Sequence, residues 1–265
     1  PYNPVTRILE LRQMIMKFHE RGIRVVMDMV YNHMMNTVNM DNIVPGYYFR
    51  SDYLGRYTNG SGCGNELASE RPMVRKFIID SCLHWIKDYK IDGIRFDLME
   101  LLDIDTTKEI VKKTTKLDKN FLIYGEPWKG GSSPLVNGTY KGSQKNENFS
   151  IFNDTFRDAI RGNNHPSSGF INGNQYSSIC NWSIIEGLKG SIYTITSNPN
   201  ESINYVDAHD NYTLWDQVEK SQNQSIKFGE FRFNIPDYPL NSNLVKQDLL
   251  GMAIIFTAQG IPFIQ

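Results

Sequence analysis

Short apolar runs, each closed by an acidic residue or a turn, alternate with amphipathic helical stretches along this chain. That alternation restricts its fold more than any other feature. Strand, helix, strand in succession predicts parallel βα units in an α/β fold. Ile23 to Val30 (IRVVMDMV) is a near-continuous apolar run, the pattern of a strand covered on both faces. GIRFD at Gly93 to Asp97, FLIY at Phe121 to Tyr124, INYV at Ile203 to Val206 and IPFI at Ile261 to Ile264 are the other predicted strands. A first helix is predicted over Arg7 to Arg21, with Ile8, Leu11, Ile15 and Phe18 on one face and Gly22 at its C-terminal cap. Pro72 opens a second, whose stripe is Val74, Phe77, Ile78, Cys82, Trp85, Ile86 and Tyr89. Further helices are expected over Asp105 to Lys116 and Leu244 to Gln259. Between Lys129 and Asn200 the pattern weakens into Gly-, Asn- and Ser-rich loops, around FSIF at Phe149 to Phe152 and around Ile184 to Leu188.

Composition removes several function classes. The net charge of -1 argues against a nucleic-acid footprint or a membrane-surface role. No apolar run reaches transmembrane length. Cys63, Cys82 and Cys180 lack C-x-x-C spacing and are odd in number, so neither a disulfide framework nor a zinc site is indicated and a reducing, cytoplasmic setting is favoured. The text starts at PYNPV without an initiator Met and stops inside a predicted strand, so it reads as a fragment, and an extracellular location stays open. No phosphate-binding, dinucleotide-binding or nucleophile-elbow motif is present.

Acidic residues stand where the predicted strands end: Asp28, Asp97, Glu126 and Asp210. In a parallel α/β barrel all strand ends open onto one face, and paired carboxylates there are the apparatus of glycoside hydrolysis. Arg95 and Asp97 share a strand face, and a guanidinium beside a carboxylate holds it ionised, as a nucleophile requires; a plain ion pair is the alternative. Glu126 is flanked by Gly125, Pro127 and Trp128. That setting is expected to be apolar and aromatic, which suits a general acid, while Trp128 offers a flat face to a sugar ring. A Glu in a Gly/Pro turn beside a core Trp is the bland version. Asp210 could stabilise positive charge on a sugar carbon and His209 could bond a hydroxyl, or Asp210 or Asn211 could cap a helix through Thr213 and Leu214. His33 has the same two readings. Asp28, an acid inside an apolar strand, needs a partner or a function. His33, His209 and nearby acids lack the short spacing of a metal site; loop Asn and Asp oxygens could hold Ca2+, although no EF-hand pattern exists.

Together VVMDMVYNH, DGIRFD, YGEPW and YVDAHDN resemble the four ordered sequence regions of the α-amylase superfamily of glycoside hydrolases. IVPGYYFR, NGSGCGNELASERPMVRKFI, DGIRFDLMELLDID and INYVDAHDNYTLWD are similar to type I pullulanases. The resemblance implies a truncated (β/α)8 TIM barrel lacking its first two strands and last helix, with residues 1–265 as one partial catalytic domain and a long loop insertion at about 34–71. It implies a retaining hydrolase of α-1,6 links in pullulan, limit dextrins or glycogen-derived oligosaccharides. Asp97 would be nucleophile, Glu126 acid/base and Asp210 transition-state stabiliser, with Asp28, His33, Arg95 and His209 lining the reacting-glucose subsite. No cofactor is required on that reading. Isoamylase-like, α-1,4-acting and non-catalytic glucan-binding relatives are the competing expectations.

Overall fold

The computed structural model describes residues 3–164, 167–222, 239 and 242–265. The chain divides into two compact units, Pro1–Ile151 and Phe152–Gln265.

The first unit opens with α1 (Pro4–His19), where the Asn3 side chain accepts from the Val5 amide and Pro4 occupies the first turn. Of the expected apolar face, Ile15 is buried and Leu11 partly so, while Ile8 and Phe18 stay more than a third exposed. Gly22 turns the chain in the left-handed conformation, φ 72°. Then come β1 (Val26–Met29), β2 (His33–Met34), α2 (Val38–Asp41), β3 (Asn65–Glu66), α3 (Pro72–His84), β4 (Gly93–Phe96), α4 (Ile104–Leu117), β5 (Leu122–Gly125) and β6 (Ser150–Phe152). β1, β4, β5 and β6 pair in that order, all parallel, and β2 and β3 form a separate antiparallel pair inside the long segment after β1.

β4 is buried at all four positions, as its central place requires. β1 departs from expectation. It is only half-buried, with Ile23 and Val30 about half exposed, because among the described residues β4 is its one ladder partner. α3 buries Val74, Ile78, Ile79 and Cys82 but turns Phe77 outward, then closes through a π-helical turn at Trp85–Tyr89 whose aromatic rings pack 4.6 Å apart.

The second unit holds α5 (Asp154–Arg161), α6 (Ser178–Leu188), β7 (Ser202–Asn204), α7 (Leu214–Gln222), α8 (Asn243–Thr257) and β8 (Ile261–Pro262). β7 and β8 pair in parallel, Ile203 opposite Ile261. Phe156, Ile160, Val206, Leu214 and Ile255 anchor its core. Neither α5 nor the first half of α6 was marked by the sequence pattern. Parallel strands joined through helices make this an α/β fold consistent with a truncated (β/α)8 barrel.

Candidate active site

Register assembles the site in the first unit. Asp28 on β1 stands opposite Arg95 on β4, and Arg95 opposite Tyr124 on β5. The ladders run one step past the strand ends: the Asp97 amide donates to the Met29 carbonyl and the Glu126 amide to the Phe96 carbonyl, both at 3.1 Å. Asp97 and Glu126 therefore leave neighbouring strands at the same end.

Arg95, 6% exposed, is the hub. Its Nη1 lies 2.8 Å from Asp28 Oδ1 and 3.3 Å from Asp97 Oδ1, and its Nη2 lies 2.6 Å from Glu126 Oε1. Burial works against its charge, but Glu126, Asp28 and Asp97 outweigh that and hold its pKa above the ordinary arginine value. Burial likewise pushes the neighbouring Tyr124 phenol up, with Arg95 opposing. The partner that Asp28 needed is thus Arg95, although the Asp28 carboxylate is itself 59% exposed.

Asp97 is fixed from a second side. Fully buried Asn32 donates through Nδ2 to Asp97 Oδ2 at 2.8 Å and to the Asp97 carbonyl at 2.7 Å. His33 joins the group through Asn32, its Nδ1 lying 2.6 Å from Asn32 Oδ1.

The Glu126 carboxylate is buried and meets charge and backbone polarity, partners that its apolar sequence neighbours did not indicate. Besides Arg95, Oε2 accepts from the Leu98 amide at 2.9 Å. Leu98 reaches that position only by adopting a left-handed backbone, φ 39°, which costs a non-glycine residue about 1–2 kcal/mol. Gly125 permits the approach: a Cβ there would sit 2.7 Å from both the Phe96 carbonyl oxygen and Met99 Sδ. Trp128 is half-buried on the segment that follows.

His209 and Asp210 lie in the second unit, and neither opens a helix. Thr213 Oγ1 accepts from the Asp216 amide at 3.1 Å, and buried Asp207 accepts from the Leu214 amide at 3.2 Å, so the start of α7 is held by those two. The side chains of His209 and Asp210 stay 55% and 68% exposed, 3.6 Å from each other. Asn211 follows in the left-handed conformation, φ 68°.

Asn32, Tyr124 and the Leu98 amide were not singled out from the sequence. Asn32 had a signal, since it closes the apolar run between Tyr31 and His33; an amide set by backbone conformation leaves none. Among the described residues no group of three or more His, Cys, Asp or Glu side chains is placed to hold a metal, and no helix is long and apolar enough to cross a membrane. Cys63, Cys82 and Cys180 are all free thiols, the first exposed and the others buried.

No established family description matches the chain. It is 38% identical over 276 residues to the pullulanase of Bacillus subtilis (strain 168), matching along its whole length but spanning 36% of that protein. The pullulanase structure from Bacillus acidopullulyticus superposes with a TM-score of 0.87 at 42% identity, covering 98% of this chain and 31% of that one. A pullulanase from Anoxybacillus sp. LM18-11, crystallised with maltotriose, gives 0.86 at 37% identity, covering 98% of this chain and 36% of that one. The parallel α/β fold, the acidic residues at its strand ends and these likenesses along the whole chain set it with the pullulanases, of whose length it spans about a third.

Proposed function

We propose that the protein carrying this chain is a retaining debranching hydrolase that cuts α-1,6-glucosidic links in pullulan, limit dextrins or glycogen-derived oligosaccharides. The observation that carries the reading is one buried guanidinium in contact with two carboxylates, Asp97 and Glu126, at adjacent parallel strand ends of a pullulanase-like chain. Asp97 is assigned as nucleophile: a carboxylate oxygen bonds to the anomeric carbon as the glycosidic C–O bond breaks. Glu126 gives its proton to the leaving oxygen, then takes one from the water that releases Asp97. Such a double displacement asks for about 5–5.5 Å between the two carboxyl groups. Arg95 sets its positive charge against both carboxylates, and a substrate that drew Arg95 toward Asp97 would leave Glu126 free for its acid role.

Asp210 is assigned to stabilise charge on the sugar, with Asp28, His33, Trp128 and His209 holding its hydroxyls and ring. Complexes of relatives with maltotriose and maltotetraose support an α-glucan as the substrate. The chemistry asks for no cofactor; Ca2+ would serve only to brace loops. Three free thiols favour a reducing compartment.

Product analysis on pullulan tests the assignment. Maltotriose is the expected product. Panose or isopanose would instead mark an α-1,4-acting relative, and binding without cleavage would mark a non-catalytic glucan binder.

A further inference from the structure

The segment NGSGCGNE, residues 59–66, ends in an acid that the proposed chemistry does not use. Glu66 is 0% exposed and gathers donors from three separate places. The Gly60 amide donates to Oε1 at 2.6 Å, Ser133 Oγ donates to Oε2 at 2.7 Å, and Arg50 Nη1 pairs with the same Oε2. Arg50 then reaches Glu70 at 2.8 Å and the Leu101 carbonyl at 3.4 Å. Burial works against the charge on Arg50, but Glu70 and then Glu66 outweigh it, so its pKa stands above the ordinary value.

These contacts join segments that each follow a sheet strand. Gly60 belongs to the loop after β1, Leu101 to the turn after β4 that begins at Asp97, and Ser133 to the loop after β5 that begins at Glu126. The first and last also dock backbone to backbone. The Gly131 amide donates to the Gly60 carbonyl at 2.7 Å, and a Cβ on Gly130 would stand 2.3 Å from the Ser61 carbonyl oxygen. Glu66 further stands opposite His33 in the β2–β3 ladder, and the next residue, Leu67, donates its amide to the Asn32 carbonyl at 3.0 Å. Asn32 is the residue that grips Asp97.

We propose that Glu66 is a positioning residue for the hydrolysis assigned above, its buried carboxylate locking the loops after β1, β4 and β5 so that Asp97 and the segment following Glu126 hold a fixed register. A carboxylate meets this need because it accepts several hydrogen bonds at once while balancing Arg50. The inference rests on the debranching reading and reaches past it, to a residue outside the reacting-sugar subsite.

The test uses Glu66→Gln, Ser133→Ala and the double variant in the intact protein, assayed on pullulan well below each variant's unfolding temperature. Glu66→Gln should lower kcat by about tenfold or more, with KM changing less than kcat. Ser133→Ala, which removes the hydrogen bond to Glu66 and the one accepted from the Leu135 amide, should lower it by about threefold. The double variant should be little worse than Glu66→Gln alone, since Ser133 acts through Glu66. A folded Glu66→Gln protein with a lower unfolding temperature but the wild-type kcat would overturn the positioning role. Should Glu66→Gln fail to fold, wild-type kcat in Ser133→Ala would do the same. A wild-type protein that cuts no α-glucan would remove the debranching reading itself, which separates that failure from this one.

Discussion

Arg95 in the first unit and Arg161 in the second are both buried, and the two are treated in opposite ways. Arg95 in the first unit meets three carboxylates, and its charge is favoured despite burial. Arg161 in the second is 1% exposed, donates from Nη2 to Asn164 Oδ1 at 2.9 Å, and has no hydrogen-bond partner among the described residues for Nε or Nη1. Burial, with repulsion from Arg157, lowers its pKa to about 10, against the pull of Asp158, Tyr205 and Asp207. Burial alone therefore does not mark a functional arginine. What distinguishes Arg95 is the acidic groups that register places around it: Asp28 from the neighbouring strand, Asp97 two residues along its own, and Glu126 just past the next. Such a cluster is organised before any ligand arrives, which is the condition for electrostatic catalysis.

The largest effect should come from Asp97. Asp97→Asn keeps the shape and the Asn32 contact but removes the proposed nucleophile, so kcat on pullulan should fall by about three orders of magnitude or more while the circular dichroism spectrum stays unchanged. Near-normal turnover would dissolve the distinction between Arg95 and Arg161, since Arg95 would then serve an ordinary ion-pair network. Glu126→Gln should cost about two orders of magnitude or more on glucans and less on activated aryl glycosides, whose leaving groups need little protonation. Equal losses on both substrate types would remove Glu126 from the acid role and leave it as one more counter-charge to Arg95. Asp210→Asn sharpens the contrast from the other unit. Its side chain is largely exposed, so unfolding stability should shift by no more than about 0.5 kcal/mol while kcat falls strongly. A stability loss with intact turnover would make Asp210 a structural residue.

The centre of the fold and the acids on it were legible in the sequence because both depend on local pattern. GIRFD and FLIY predicted β4 and β5 to within a residue, and the stretch from Asp105 to Lys116 lies inside α4. What failed was whatever depends on groups brought from elsewhere. The text around Glu126 carries no trace of two of its partners, Arg95 and the Leu98 amide, which come from the adjacent strand and the turn after it. The apolar run of β1 implied cover on both faces, whereas its burial depends on neighbours that its own text does not specify. α5 was missed for a related reason. DTFRDAIR turns Arg157 and Arg161 inward beside Phe156 and Ile160, so the apolar stripe that periodicity looks for is interrupted by charge. Glu66 stood in a conspicuous Gly- and Asn-rich motif, but its partners Arg50 and Ser133 lie 16 and 67 positions away.

The smallest effect is expected at Arg161, and set against the loss at Arg95 it tests the opening contrast most directly. Arg95→Met removes the common partner of Asp28, Asp97 and Glu126 and leaves buried carboxylate oxygens uncompensated, so unfolding stability should drop by about 3 kcal/mol. Arg161→Met should behave differently. The folded chain holds the Arg161 proton less firmly than the unfolded chain does, so the unfavourable contribution of its charge is present at all pH values below about 10 and fades only as pH rises through that point. At neutral pH a methionine of similar length removes that charge and the two unpartnered nitrogens together. The unfolding midpoint should then stay where it is or rise by a few degrees, a gain of at most about 1 kcal/mol. A loss matching that of Arg95→Met would mean that Asp158 and Asp207 compensate Arg161 as fully as the acidic cluster compensates Arg95, and the difference between the two arginines would vanish.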